Sequence, residues 1–411
     1  MDSLTQITLG AAVGEVVLGR KAGNRAMLWG AIAGTIPDLD VFANAVTDEI
    51  SALAYHRAFT HSLAFAALTP LVLGALVHRI YGGKEGPMPA SPGWSLGAAW
   101  VYLLALIAVG SYLMPIPVYG VGRIALLVSA IIMLFPVFFF LREKWRRRPS
   151  QNENPGWLAW SHLFFWSIVT HPLLDACTTY GTQLWQPFSE GRAALNNIAV
   201  ADPLYTVPFL IFVIWASRIS RHSQRRQWVN YAGLAVSCAY MALTFVNKWR
   251  VDGVFANSLA EERIVAARYM TSPTILNNLL WTGAAECDTV FYHGQYSLLD
   301  DEPRFDLAPI PKGHNLIADH WDDRDVAVLR WFSKGYFNVL PIGKDTLQLN
   351  DLRFGGLGSK LEQPDDYIFR FILTQEGAEL KAAQNQDGPD ISFRDALAGL
   401  WRRMMGDKSG Y

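Results

Sequence analysis

Apolar residues form long, nearly unbroken runs over the first 250 positions and short, interrupted runs after them. A bilayer-crossing helix needs roughly 20 such residues. The stretches 93–114, 120–141 and 228–247 satisfy that most clearly, and 61–80 nearly does. Shorter or more polar stretches at 4–19, 26–36, 157–174 and 203–217 bring the expected number of spans to about eight. Beyond residue 250 the runs at 289–299, 326–332, 336–340, 346–354 and 367–373 are aromatic or β-branched and divided by Gly, Pro and Asp, which predicts strands and turns. Residues 259–270 carry helical spacing. The expectation is a polytopic α-helical membrane protein, residues 1–249, followed by a small α+β extracytoplasmic domain, residues 250–411.

Charge follows the same division. Residues 1–249 hold 12 of the 36 acidic and 18 of the 35 basic residues, so the first part is charge-poor and slightly basic while the second is acidic. The 17% charge of the whole excludes disorder, a nucleic-acid-binding domain or a coiled coil as its description. Under the eight-span count, fourteen Lys and Arg fall in odd-numbered connections and only Arg57 and Arg192 in even-numbered ones. Because cytoplasmic loops carry the basic excess, both termini and the polar segment are expected outside the cytoplasm, with 4–19 a retained span. Cys177, Cys238 and Cys287 are far apart without CxxC spacing, and they read as buried small hydrophobes.

Ionisable groups beside membrane spans are costly, so they point to function. Four places carry them: Asp38 and Asp40 in I-P-D-L-D, His56 and His61 in Y-H-R-A-F-T-H-S, His171 and Asp175 in T-H-P-L-L-D, and Asp202 in D-P-L-Y-T. Each alone has an ordinary reading as a turn, an interfacial histidine or an ion pair. Together, under the topology just given, they gather on one side. Imidazoles and carboxylates without thiolates suit zinc, manganese or iron in a catalytic rather than a closed structural site. His171 and Asp175, four apart, share a helical face unless Pro172 kinks or ends the helix, and a D-x-D pair shares a face if extended. The expected metal ligands are Asp38, Asp40, His56, His61, His171 and Asp175, holding one ion or two. Asp202 is expected as a further ligand or general base. Arg57 is expected either to hold a phosphate or carboxylate or to pair with Asp38 or Asp48. Glu15 is read as paired inside the bundle, and His293, His314 and His320 as surface residues.

These motifs, with the N-terminal M-D-S-L-T, resemble the YdjM-like family of bacterial inner-membrane proteins over roughly residues 1–250. The resemblance implies a plasma-membrane location and a metal-dependent hydrolase. Many family members have a histidine where this chain has Gln6, so Asp2 and Gln6 rank below the other ligands. The leading expectation is hydrolysis of a lipid-linked or phosphoester substrate at the periplasmic face of the lipid bilayer, with no nucleic acid involved. The alternatives are a divalent-metal transporter or permease, and a non-catalytic scaffold.

Overall fold

The computed structural model describes residues 1–45, 47–87, 153–356, 361–385 and 393–408. The expected spans 93–114 and 120–141 lie outside the described residues. The chain divides into two compact units, one of residues 1–194 with 204–240 and one of residues 195–203 with 241–411.

In the first unit, α1 (Ser3–Ala22) starts where the Asp2 carboxylate accepts from Thr5 N at 3.0 Å. Gly23, at φ +59°, turns the chain into α2 (Asn24–Thr35) in a single residue. No side chains separate the two helices at their crossing. A Cβ at Gly10 would stand 2.3 Å from the Gly30 carbonyl oxygen, at Gly14 2.2 Å from that of Ala26, and at Gly34 2.6 Å from that of Gln6. The pairing of low with high numbers makes the helices antiparallel. Glycine is therefore obligatory, since any other residue would force the backbones apart.

Pro37 cannot continue α2, and a 3-10 helix (Pro37–Ala45) follows. Next come α3 (Glu49–Tyr55), capped by Asp48, a short 3-10 turn (Phe59–His61), and α4 (Leu63–Ile80), capped by the Ser62 side chain at Phe65 N. A two-residue pair, β1 (Gly86–Pro87) with β2 (Glu153–Asn154), precedes α5 (Trp157–Asp175), which contains Pro172 without ending there. Trp29, Phe65, Tyr81, Trp160 and Phe164 fill the core between α2, α4 and α5. Helices α6 (Pro203–Arg218) and α7 (Gln224–Glu261) follow. Glu15 is paired within this unit, to Arg226.

The eight-span expectation fails. Among the described residues only α4 and α7 are long and apolar enough to cross a membrane, or three spans if α2 and the 3-10 helix after it, bent by 43°, count as one. Helix α2 has 12 residues and α6 has 16, less than a bilayer requires. Helix α1 buries Thr5, Gln6, Thr8 and Glu15 among protein partners, so polar residues dilute it. With the count revised, the alternation of basic loops no longer assigns a side.

In the second unit, β3 (Arg268–Pro273), β4 (Leu280–Glu286), β5 (Val290–Ser297) and β6 (Ala308–Pro311) form one antiparallel sheet in sequence order. A second sheet, also antiparallel, has the order β10-β9-β8-β7, from β7 (Phe337–Pro341), β8 (Thr346–Asp351), β9 (Arg370–Glu376) and β10 (Glu379–Gln384). Val251, Phe255 and Leu259 of α7 pack on Trp281, Tyr296 and Phe305.

Three local expectations are corrected here. Residues 326–332 belong to a helix, α8 (Arg324–Phe332), which buries Val326, Leu329 and Phe332 at helical spacing. The helix expected over 259–270 stops at Glu261, and β3 begins at Arg268. A last helix, α9 (Phe393–Met404), completes the described chain. His293 is buried against the Thr282 hydroxyl at 2.6 Å rather than at the surface.

Candidate metal centre

Four of the singled-out side chains converge: Asp38, His61, His171 and Asp175. The His61 and His171 Nε2 atoms lie 3.1 Å apart. Asp38 Oδ1 is 3.4 Å from the first and 3.3 Å from the second, and Asp175 Oδ2 is 3.4 Å from each. A tetrahedron with ligand bonds near 2.1 Å has edges of about 3.4 Å. Five of the six edges are thus already set at the lengths a small divalent ion would impose. Asp175 Oδ2 is buried and accepts no hydrogen bond, and with Arg57 Nε as its ion-pair neighbour at 3.2 Å it keeps lone-pair capacity that a metal ion would use. Two imidazoles and two carboxylates without a thiolate fit zinc, manganese or iron.

The outer ring nitrogens are held separately, which aims both Nε2 atoms inward. His171 Nδ1 donates to the Gly34 carbonyl at 2.6 Å. His61 Nδ1 faces Asp40 Oδ2 at 3.2 Å. Such partners fix tautomer and ring orientation in metal sites. Asp40 also accepts from Arg57 N at 2.8 Å and pairs its other oxygen with His56 Nδ1 at 2.9 Å. Burial of His61 opposes its charged form, but Asp40, Asp175 and Asp38 outweigh that and raise its pKa to about 10. With no ion bound, this ring carries a proton at neutral pH.

The D-x-D pair is not extended, as had been expected, but lies in a 3-10 helix. At three residues per turn, residues two apart point about 240° away from each other. Asp38 therefore reaches the inward nitrogens and Asp40 the outward one. His56 caps α3 with its side chain 31% exposed and meets the group through Asp40 and through an edge contact with the His61 ring, centroids 6.2 Å apart. His171 and Asp175 do share a face, since α5 runs through Pro172.

Arg57 is buried, with Nε 3.2 Å from Asp175 Oδ2 and Nη1 donating to Thr178 Oγ1 at 2.9 Å. Its partner is Asp175 rather than Asp38 or Asp48. Its φ of +62° is unusual for a side-chain-bearing residue. Gln6 Nε2 donates to Asp175 Oδ1 at 2.9 Å, and the Met1 amino group also contacts that oxygen. Asp2 serves as the cap of α1. Asp202 is buried just before α6, grouped with the second unit, and is not among the converging four. The Gly34 carbonyl was not anticipated. Its signal was the glycine spacing 10, 14, 30, 34, which announces a backbone-to-backbone crossing.

No curated protein and no solved structure matches this chain. One family model does, over residues 1–114 and 124–251, and all four converging residues lie inside the match. On that match the chain belongs to the YdjM inner membrane protein family.

Proposed function

We propose that this protein is a membrane-bound metal-dependent hydrolase acting on a lipid-linked or phosphoester substrate. The observation that carries the reading is the chain of contacts from the exposed edge of His56 through Asp40 to His61, beside four ligand atoms at tetrahedral spacing. Bound there, a divalent ion supplies Lewis acidity to an ester or phosphoryl oxygen. Asp38, the one partly exposed member of the four, marks the side from which substrate enters. Asp40 accepts from His56 Nδ1, which leaves Nε2 as a proton acceptor able to serve as general base. Arg57 holds Asp175 in place rather than gripping substrate.

The test is metal analysis of the full chain purified in detergent, together with hydrolysis of bis(p-nitrophenyl) phosphate and of a fluorogenic phospholipid. His171→Ala is expected to lose both metal and activity, whereas His56→Ala keeps metal and loses activity. Wild-type protein that retains no divalent metal, or a His56→Ala variant as active as wild type, overturns the reading.

A further inference from the structure

In the second unit, a cavity of about 500 Å³ opens between β3, the end of β4 and α8. That is within the size range of small-molecule sites. Arg268, Glu286, His314, Arg330 and the aromatic residues Trp321, Trp331 and Phe337 are among the residues that line it. The Glu286 carboxylate is neutralised on both oxygens, by Arg268 Nε at 2.5 Å and Lys312 Nζ at 2.7 Å. That leaves the wall with positive charge in excess.

Arg330 is the group whose donors are not consumed. Its guanidinium lies 3.7 Å over the Trp321 ring, and Nη1 donates to the Trp321 carbonyl at 2.8 Å. Among the described residues, its Nε and Nη2 have no acceptor. The stacked indole holds the guanidinium flat, so little freedom is lost when those N–H groups engage an anion.

The remaining walls choose the body that carries the anion. Phe337 is covered by the His314 ring at 4.2 Å, and Trp321 by Arg330, so these broad aromatic faces are already occupied. A flat base or aromatic acid would find neither of these two open, and Trp331 is the one other aromatic residue of the lining. His314 Nε2 donates to the Phe337 carbonyl at 3.0 Å, which leaves Nδ1 of the neutral ring as an acceptor for a hydroxyl. Burial lowers the His314 pKa and keeps that ring neutral. Guanidinium donors, an imidazole acceptor and indole edges together suit a hydroxyl-bearing ring with one acidic group.

We infer that this cavity is a binding site for an acidic sugar, recognised by Arg330 at its anion and by His314 at a hydroxyl. This stands apart from the metal centre and does not depend on its chemistry. The same sugar could arrive free or as a lipid headgroup.

The experiment titrates the full chain in detergent and follows tryptophan fluorescence, using glucuronate, glucose, acetate and AMP. Loss of a charge-assisted hydrogen bond costs about tenfold or more, so glucuronate should bind at least that much tighter than glucose, and it should also bind tighter than acetate, which keeps the charge but lacks the hydroxyl that His314 accepts from. Arg330→Gln should weaken glucuronate by a similar factor. Ala327→Glu, at an exposed position of the lining, brings in a like charge without disturbing the core and should do the same. A parallel arm offers vesicles containing glucuronosyl diacylglycerol. Binding of free glucuronate assigns a soluble sugar acid, and binding of the vesicles alone assigns the lipid-borne form. Binding of neither, equal binding of glucose, or AMP binding tighter than glucuronate overturns the proposal.

Discussion

Replacing Asp40 by Asn separates two roles that this carboxylate combines. The amide oxygen can take the place of Oδ2, which accepts from Arg57 N at 2.8 Å and faces His61 Nδ1 at 3.2 Å. The charge is lost, and the amide nitrogen then faces His56 Nδ1, where Oδ1 stood at 2.9 Å. Weakening a partner that orients a metal-binding histidine typically costs about 10- to 100-fold in metal affinity. That is about 1.4 to 2.7 kcal/mol at roughly 1.4 kcal/mol per decade.

A second effect opposes the first. Asp40 is the largest favourable charge holding the His61 pKa near 10, so removing it lowers that pKa. Below its pKa His61 must give up a proton before an ion binds, and each lower pH unit costs about tenfold in apparent affinity. The variant carries less of this proton penalty at neutral pH. The wild-type advantage should therefore rise steadily with pH, approaching the full factor only above the wild-type pKa near 10 and shrinking or reversing as the pH falls toward 6. Competition against a chromophoric zinc chelator across that range measures it. A ratio that stays flat with pH would refute the assignment of Asp40 to the outer nitrogen of His61.

Three further outcomes follow from the geometry. Gly34→Ala sets a Cβ 2.6 Å from the Gln6 carbonyl oxygen and should destabilise by about 1–3 kcal/mol, as overpacking does, while weakening metal binding through the shifted carbonyl at His171; a variant unchanged in thermal midpoint and metal content would contradict the crossing. Stripping the ion with a chelator should lower the thermal midpoint, by an amount equivalent to about 2.7 kcal/mol if the ion had been at a hundred times its Kd, and His171→Ala protein should show no such response. Lys312 and Arg268 hold the Glu286 pKa below its ordinary 4.5, so this pair stabilises the second unit above that pH and the gain is lost as pH falls through the depressed value; because the group is partly solvated, Glu286→Gln should cost no more than about 1 kcal/mol in a denaturant titration at pH 7.

The sequence carried the chemistry of the first unit better than its architecture. The motifs I-P-D-L-D, H-R-A-F-T-H-S and T-H-P-L-L-D contain all four converging residues, because buried ionisable groups in an apolar chain have few ordinary uses. Which member of each pair faces inward was not readable. That depended on Pro37 starting a 3-10 helix rather than an extended segment, a difference of about 120° between side chains two residues apart. The span count failed for another reason. Apolar length alone does not distinguish a helix facing lipid from one facing protein, and α1 places Gln6 and Glu15 against protein partners. In the second unit, β4 was missed because Gly283, Ala284 and Ala285 lack strand-forming bulk. Phe255 from α7 fills the space that a side chain at Gly283 would need.

The left-handed backbone at Arg57 gives one residue three attachments in three directions. Its N–H is held by Asp40, its carbonyl accepts from Gln183 N at 3.0 Å, and its guanidinium lies against Asp175. A right-handed conformation would swing at least one of these away, so the strain at this position works as a latch that engages only when all three are in place. A glycine there would relax the backbone yet release the carboxylate it guards. The loop and the ligand it supports would then become mechanically independent, and the centre would have to be assembled by the ion rather than awaiting it.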